Sequence, residues 1–150
     1  METTALILAY IGVALMVGLA GIASAIGTSM TGLASVGAMK KNSNAFGSYT
    51  ILSALPGSQG LYGFVCFFIV KPFLESPSML QGIAILGIGL LVGFVNLLAA
   101  INQAKVCASG IVAVGNGHDV MAKTLILAAF PELYAILTVA ATFVISTIIR

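Results

Sequence analysis

Of the four carboxylates in this 150-residue chain, Glu2, Glu75 and Asp119 stand at ends or in polar loops, and Glu132 alone stands inside a long apolar run. An ionisable side chain in mid-membrane costs about 2.5–3.5 kcal/mol on insertion scales and is retained for a function. Counting from Val120 at 1.5 Å per residue puts Glu132 roughly 18 Å into its helix, past the centre of a hydrocarbon layer ~30 Å thick if the helix starts at the boundary and nearer the centre if it protrudes. Gln103 and Gln59, counted from the polar loops at their own helix ends, reach about the same depth. Leu55, Ser58, Gln59 and Tyr62 follow the i, i+3, i+4, i+7 spacing and share one helix face. Pro56 lacks an amide hydrogen, so the Leu52 carbonyl loses its partner, the helix kinks, and the Leu55 carbonyl can bend toward the same place.

One carboxylate, the amide oxygens of Gln59 and Gln103, the Ser58 hydroxyl and a backbone carbonyl make an all-oxygen cage with one negative charge. That set suits a small hard monovalent cation, since Ca²⁺ or Mg²⁺ asks for more carboxylates. Tyr62 can donate to the second oxygen of Glu132 and hold it in place. A proton needs far fewer oxygens, only a desolvated carboxylic acid with an acceptor nearby. The oxygen-rich set favours Na⁺, with H⁺ as the alternative; in that case Gln59 and Gln103 are helix-to-helix hydrogen bonders.

The elements that carry these residues belong to a membrane. Hydrophobic residues make up 60% and charged residues 7% of the chain, with mean hydropathy +1.16. Both are far outside soluble-domain composition. Four stretches, about 4–39, 45–73, 78–114 and 120–149, are long enough to span a bilayer. Polar loops at 40–44, 74–77 and 115–119 separate them into two hairpins forming a single four-helix transmembrane domain. Pro77 marks the third helix start and Asp119 is the expected N-cap of the fourth. The long first run and its acidic Glu2 argue against a cleaved signal peptide. Lys40, Lys41, Lys105 and Lys123 place loops 40–44 and 115–119 in the cytoplasm by the positive-inside rule.

The hairpins look like copies. Leu61-Tyr62 and Leu133-Tyr134 lie at matching depth, the first and third stretches are rich in Gly, Ala and Ser, and the second and fourth hold most of the aromatics. Small residues let backbones approach in lipid, and Gly89 with Gly93 forms a GxxxG pair, so the first and third helices are expected to pack tightly with the others outside them. Asn96 and Asn102 are further candidates for bonds between helices. Cys66 and Cys107 sit in apolar stretches without metal-ligand spacing and read as small core residues. A net charge of +2 gives no nucleic-acid surface. No catalytic triad, phosphate loop or organic cofactor motif is present, so no catalytic site is expected in the chain itself.

The segments Leu55-Pro56-Gly57-Ser58-Gln59-Gly60-Leu61-Tyr62-Gly63-Phe64 and Pro131-Glu132-Leu133-Tyr134-Ala135-Ile136-Leu137 resemble the membrane proteolipid, K or c subunit, of bacterial V-type rotary ATPases. The resemblance covers the whole chain. It implies a rotor ring of identical subunits in a bacterial cell membrane, with odd helices inside and even helices facing lipid. It also implies a stator subunit bearing an essential arginine and a central-stalk subunit at the cytoplasmic loops. Position by position it makes Glu132 the ion-binding carboxylate, with Gln103, the Gln59 side chain, the Ser58 hydroxyl and the Leu55 carbonyl as ligands. Tyr62 bonds the carboxylate. Sodium-binding relatives carry threonine where Ser58 stands, and Pro131 departs from the sodium-type pattern. Gly60 occupies the place of a second glutamate, so one ion site per chain is implied. Two readings from other classes are a small multidrug-type antiporter, which also uses one membrane glutamate, and a purely structural four-helix scaffold.

Overall fold

A computed structural model describes residues 2–150; Met1 and the side chain of Glu2 lie outside the described residues. Helix α1 spans Glu2–Met39. The second membrane span is composite, with α2 at Phe46–Ala54, a 3-10 turn at Leu55–Gly57 and α3 at Ser58–Val70. Helix α4 spans Met79–Gly115 and α5 spans Met121–Ile148. All four spans are long and apolar enough to cross a membrane. The 38 residues of α1 give a rod of roughly 57 Å, so it reaches well past a ~30 Å hydrocarbon layer.

Helices α1 and α4 run parallel and form the central seam. Gly82 meets the backbone of Ala5, Gly89 that of Gly12, and Gly115 the Ala38 residue at the other end. A Cβ added at Gly12, Gly82 or Gly89 would overlap the opposing backbone, so glycine is what permits this contact. Glycines also set the contacts within each hairpin, Gly63 lying on Met16 and Ala20, and Gly110 on Thr124. Gly18, Gly21, Gly37 and Gly87 face open space instead. The small-residue composition of α1 therefore exceeds what this one chain packs, because only one face of the helix meets α4. Phe64, Phe68, Phe130, Tyr134 and Phe143, on α3 and α5, are exposed.

Two apolar clusters lie along the seam. Met16, Cys66, Ile85, Ile88 and Val92 fill one half, and Tyr49, Leu52, Cys107 and Ile111 fill the other. Both cysteines are free and buried. The Ser78 hydroxyl accepts from the Gln81 amide while the Gln81 side chain accepts from the Ser78 amide, a reciprocal cap that starts α4 just after Pro77. At the opposite end Lys41 Nζ donates to Asn116 Oδ1 over 2.8 Å, tying loops 40–44 and 115–119 together on one side. Asp119 does not cap α5. That helix begins one residue later, with Val120 at the N-cap position and no side-chain cap, so the Asp119 carboxylate stands one place too early for the free amides of the first turn.

Candidate ion site at mid-membrane

The 3-10 turn around buried Pro56 is where the second span changes its hydrogen-bond pattern, as expected of a residue without an amide donor. It places Leu55 and Ser58 side by side, and the Ser58 hydroxyl donates to the Leu55 carbonyl over 3.0 Å. One turn on, Tyr62 points across to α5. Its hydroxyl donates to Glu132 Oε1 over 2.7 Å.

The second oxygen is held from α4. Gln103 Nε2 donates to Glu132 Oε2 over 3.0 Å and to the Ala128 carbonyl, also over 3.0 Å. Gln59 Nε2 in turn donates to Gln103 Oε1 over 3.0 Å. Gln59 and Gln103 are both fully buried. Gln59 Oε1 is buried without a hydrogen-bond partner, and leaving such a group unsatisfied costs about 1–3 kcal/mol. Glu132 is half-buried. It lines an open groove of about 640 Å³ with Ile51, Ala54, Leu55, Ser58 and Leu61. All six residues singled out by spacing thus come together at one level, although Ser58 and Leu55 bond each other and not the carboxylate.

Pro131 stands within α5, which is continuous from Met121 to Ile148. With Pro131 next to it, Glu132 still accepts from both Tyr62 and Gln103. The cost of the proline falls on Leu127, whose carbonyl loses the donor that residue 131 would otherwise supply.

Two further polar pairs carry no signal in the residue spacing. Gly60, which the Leu-Tyr match between the hairpins sets against Glu132, donates its amide to Ser24 Oγ on α1 over 2.7 Å. Ser24 escapes a reading of the sequence because a serine on a Gly/Ala/Ser-rich helix has no distinguishing pattern. Asn96 Nδ2 joins α4 to α5 through Thr138 Oγ1 over 3.1 Å. Asn102 is exposed and bonds its own helix at the Leu98 carbonyl. Among the described residues no cluster of three His, Cys, Asp or Glu side chains is present.

Two hairpins of like orientation, joined along a glycine seam and holding one half-buried carboxylate between an amide and a phenol, define a class of duplicated helical-hairpin membrane proteins. A family model for the C subunit of ATP synthase matches twice, at residues 11–70 and 86–145, once per hairpin. The V-type sodium ATPase subunit K of Enterococcus hirae is 40% identical over 126 residues, covering 83% of this chain and 81% of that protein. The A-type ATP synthase subunit K of Methanocaldococcus jannaschii is 34% identical over 131 residues, 87% of this chain but 58% of that protein. The chain belongs to the family of the ATP synthase C subunit, in a form with two repeats.

Proposed function

We propose that this chain is the rotor proteolipid of a V-type ATPase and carries one Na⁺ per subunit at Glu132. The observation that carries the cation reading is the buried, unpartnered Gln59 Oε1 beside the Gln103–Glu132 pair. It supplies an oxygen where a hard cation would take one. Gln103 Oε1, the Ser58 hydroxyl and the Leu55 carbonyl complete the set, and the name of the Enterococcus hirae relative is of the sodium type. Gln103 turns its NH2 toward Glu132, so loading requires its amide to rotate and present oxygen. Tyr62 stays on the other carboxylate oxygen and keeps it aimed.

The chemistry is electrostatic. An unpaired carboxylate facing lipid costs about 2.5–3.5 kcal/mol, and Na⁺ or a proton removes that charge. Rotation of a ring of identical copies through the bilayer therefore requires a loaded Glu132. A stator arginine favours the empty carboxylate and releases the ion. Loops 40–44 and 115–119 face the cytoplasm and the central stalk, and the membrane is that of a bacterial cell.

Carbodiimide labelling of Glu132 in the purified ring tests the reading, because the reagent attacks a protonated, unoccupied carboxyl. Protection by Na⁺ and not by K⁺ is expected. Labelling that follows pH alone, indifferent to Na⁺, overturns the sodium reading in favour of H⁺.

A further inference from the structure

We propose that, where the second hairpin of one copy meets the first hairpin of the next in the ring, the exposed Tyr134 hydroxyl is hydrogen-bonded at the Ser24–Gly60 pair of that next copy. This deepens the ring reading and rests on it.

Internal repetition supports the assignment. The hairpins share one orientation, since α1 meets α4 in parallel register from Ala5–Gly82 to Ala38–Gly115. The register that aligns Leu61-Tyr62 with Leu133-Tyr134 places Gln59 on Pro131 and Gly60 on Glu132. Inside the chain, the Gln59 and Tyr62 side of α3 is the side that meets the second hairpin, with Gln59 on Gln103 and Tyr62 on Glu132. The matching side of α5 carries Pro131 and Tyr134, and Tyr134 is 65% exposed. It borders an open groove of about 500 Å³ between α4 and α5, lined by Leu98, Asn102, Phe130 and Pro131. A surface already used once inside the chain is thus presented again, uncovered, at its edge.

Polar groups on that side need a cover. Pro131 leaves the carbonyl of Leu127, one turn earlier on the same face of α5, without its helical donor, and backbone groups left unpaired in a membrane cost several kcal/mol. In the partner, Tyr134 would meet the position that Glu132 fills for Tyr62. Gly60 offers no carboxylate there, but Ser24 Oγ lies on its amide and provides an oxygen at that depth. The two kinds of hairpin junction thus differ in chemistry. The one within the chain holds an ion site, and the one between chains holds a neutral hydroxyl contact.

The test replaces Tyr134 by the photo-cross-linker p-benzoylphenylalanine in the full-length ring, with products mapped by mass spectrometry. Cross-linked dimers and higher multiples are expected, joined from position 134 to peptides carrying Ser24 or Gly60. Dimers joined through α4 or α5 of the partner, or an intact ring giving none, overturn the proposal while leaving the ring reading standing. Native mass spectrometry of the unmodified protein that shows no ring overturns both. Tyr134→Phe keeps the ring shape and removes only the hydroxyl. Its ring should dissociate at lower temperature in detergent, with Na⁺ protection of Glu132 unchanged. An unaltered dissociation temperature refutes the hydrogen bond.

Discussion

In the second hairpin a carboxylate stands near the middle of its span with a phenol on one oxygen and an amide on the other. In the first hairpin the matching place is Gly60, whose amide rests on a serine hydroxyl. The scaffold around the two places is the same: one long helix at the seam, one outer helix, glycines where the two meet, and a proline near the middle of the outer helix. What differs is one side chain and its partners. The shared fold therefore does not by itself specify the proposed ion site, which needs Glu, Gln and Tyr to coincide at one level.

Removing the carboxylate should erase that difference. Glu132→Gln leaves both hairpins uncharged at mid-depth and is expected to abolish ion-coupled ATP hydrolysis in the holoenzyme and carbodiimide labelling of the ring together. A Glu132→Gln complex that still couples ion movement to hydrolysis would defeat the assignment.

The seam that the hairpins share should be nearly as sensitive, though in assembly and not in ion selectivity. At Gly89 a Cβ runs into the Gly12 backbone, which cannot move aside as a side chain does. Gly89→Val is therefore expected to prevent recovery of folded protein in detergent, whereas Gly87→Val, on another face of α4 with open space around it, should purify as wild type. Equal yields of the two would show that α1 and α4 do not pack as described.

Much of this is readable from residue order. Four membrane helices follow from hydropathy alone, and the repeat from composition and a short Leu-Tyr match. The common depth of Gln59, Gln103 and Glu132 follows from counting along helices, because rise per residue is nearly constant. What counting misses is rotation about the helix axis. It does not separate seam glycines such as Gly12 and Gly89 from Gly18 and Gly87, which face open space. Nor does it show that the Ser58 hydroxyl turns to the Leu55 carbonyl, or that Ser24 meets Gly60. The Asp119 cap fails by a single residue, the usual uncertainty of a helix end.

Tyr62 sharpens the comparison from the other direction, since its repeat partner Tyr134 has no carboxylate in this chain to hold. Tyr62→Phe removes a bond to a charged acceptor, worth about 1.5–3 kcal/mol. Roughly tenfold or more weaker Na⁺ protection against labelling is expected, with ring stability little changed. Undiminished protection would remove Tyr62 from the site and leave Gln103 as the sole anchor of the carboxylate.

The smallest effect is expected at a polar pair outside the proposed ion site, although Asn96 Oδ1 there is, like Gln59 Oε1, buried without a partner. Asn96 and Thr138 join α4 to α5 deep in the chain, and Asn96 Nδ2 also donates to its own Val92 carbonyl over 2.8 Å. Thr138→Val keeps the side-chain shape and deletes one interhelical acceptor while the Val92 contact remains. Bonds of this kind average about 0.6 kcal/mol in membranes, so thermal stability in detergent should fall slightly and Na⁺ protection of Glu132 should stay as in wild type. A Thr138→Val protein with altered Na⁺ protection would extend the ion site along α5 beyond Glu132, and the contrast between the hairpins would then rest on a polar stripe and not on one carboxylate.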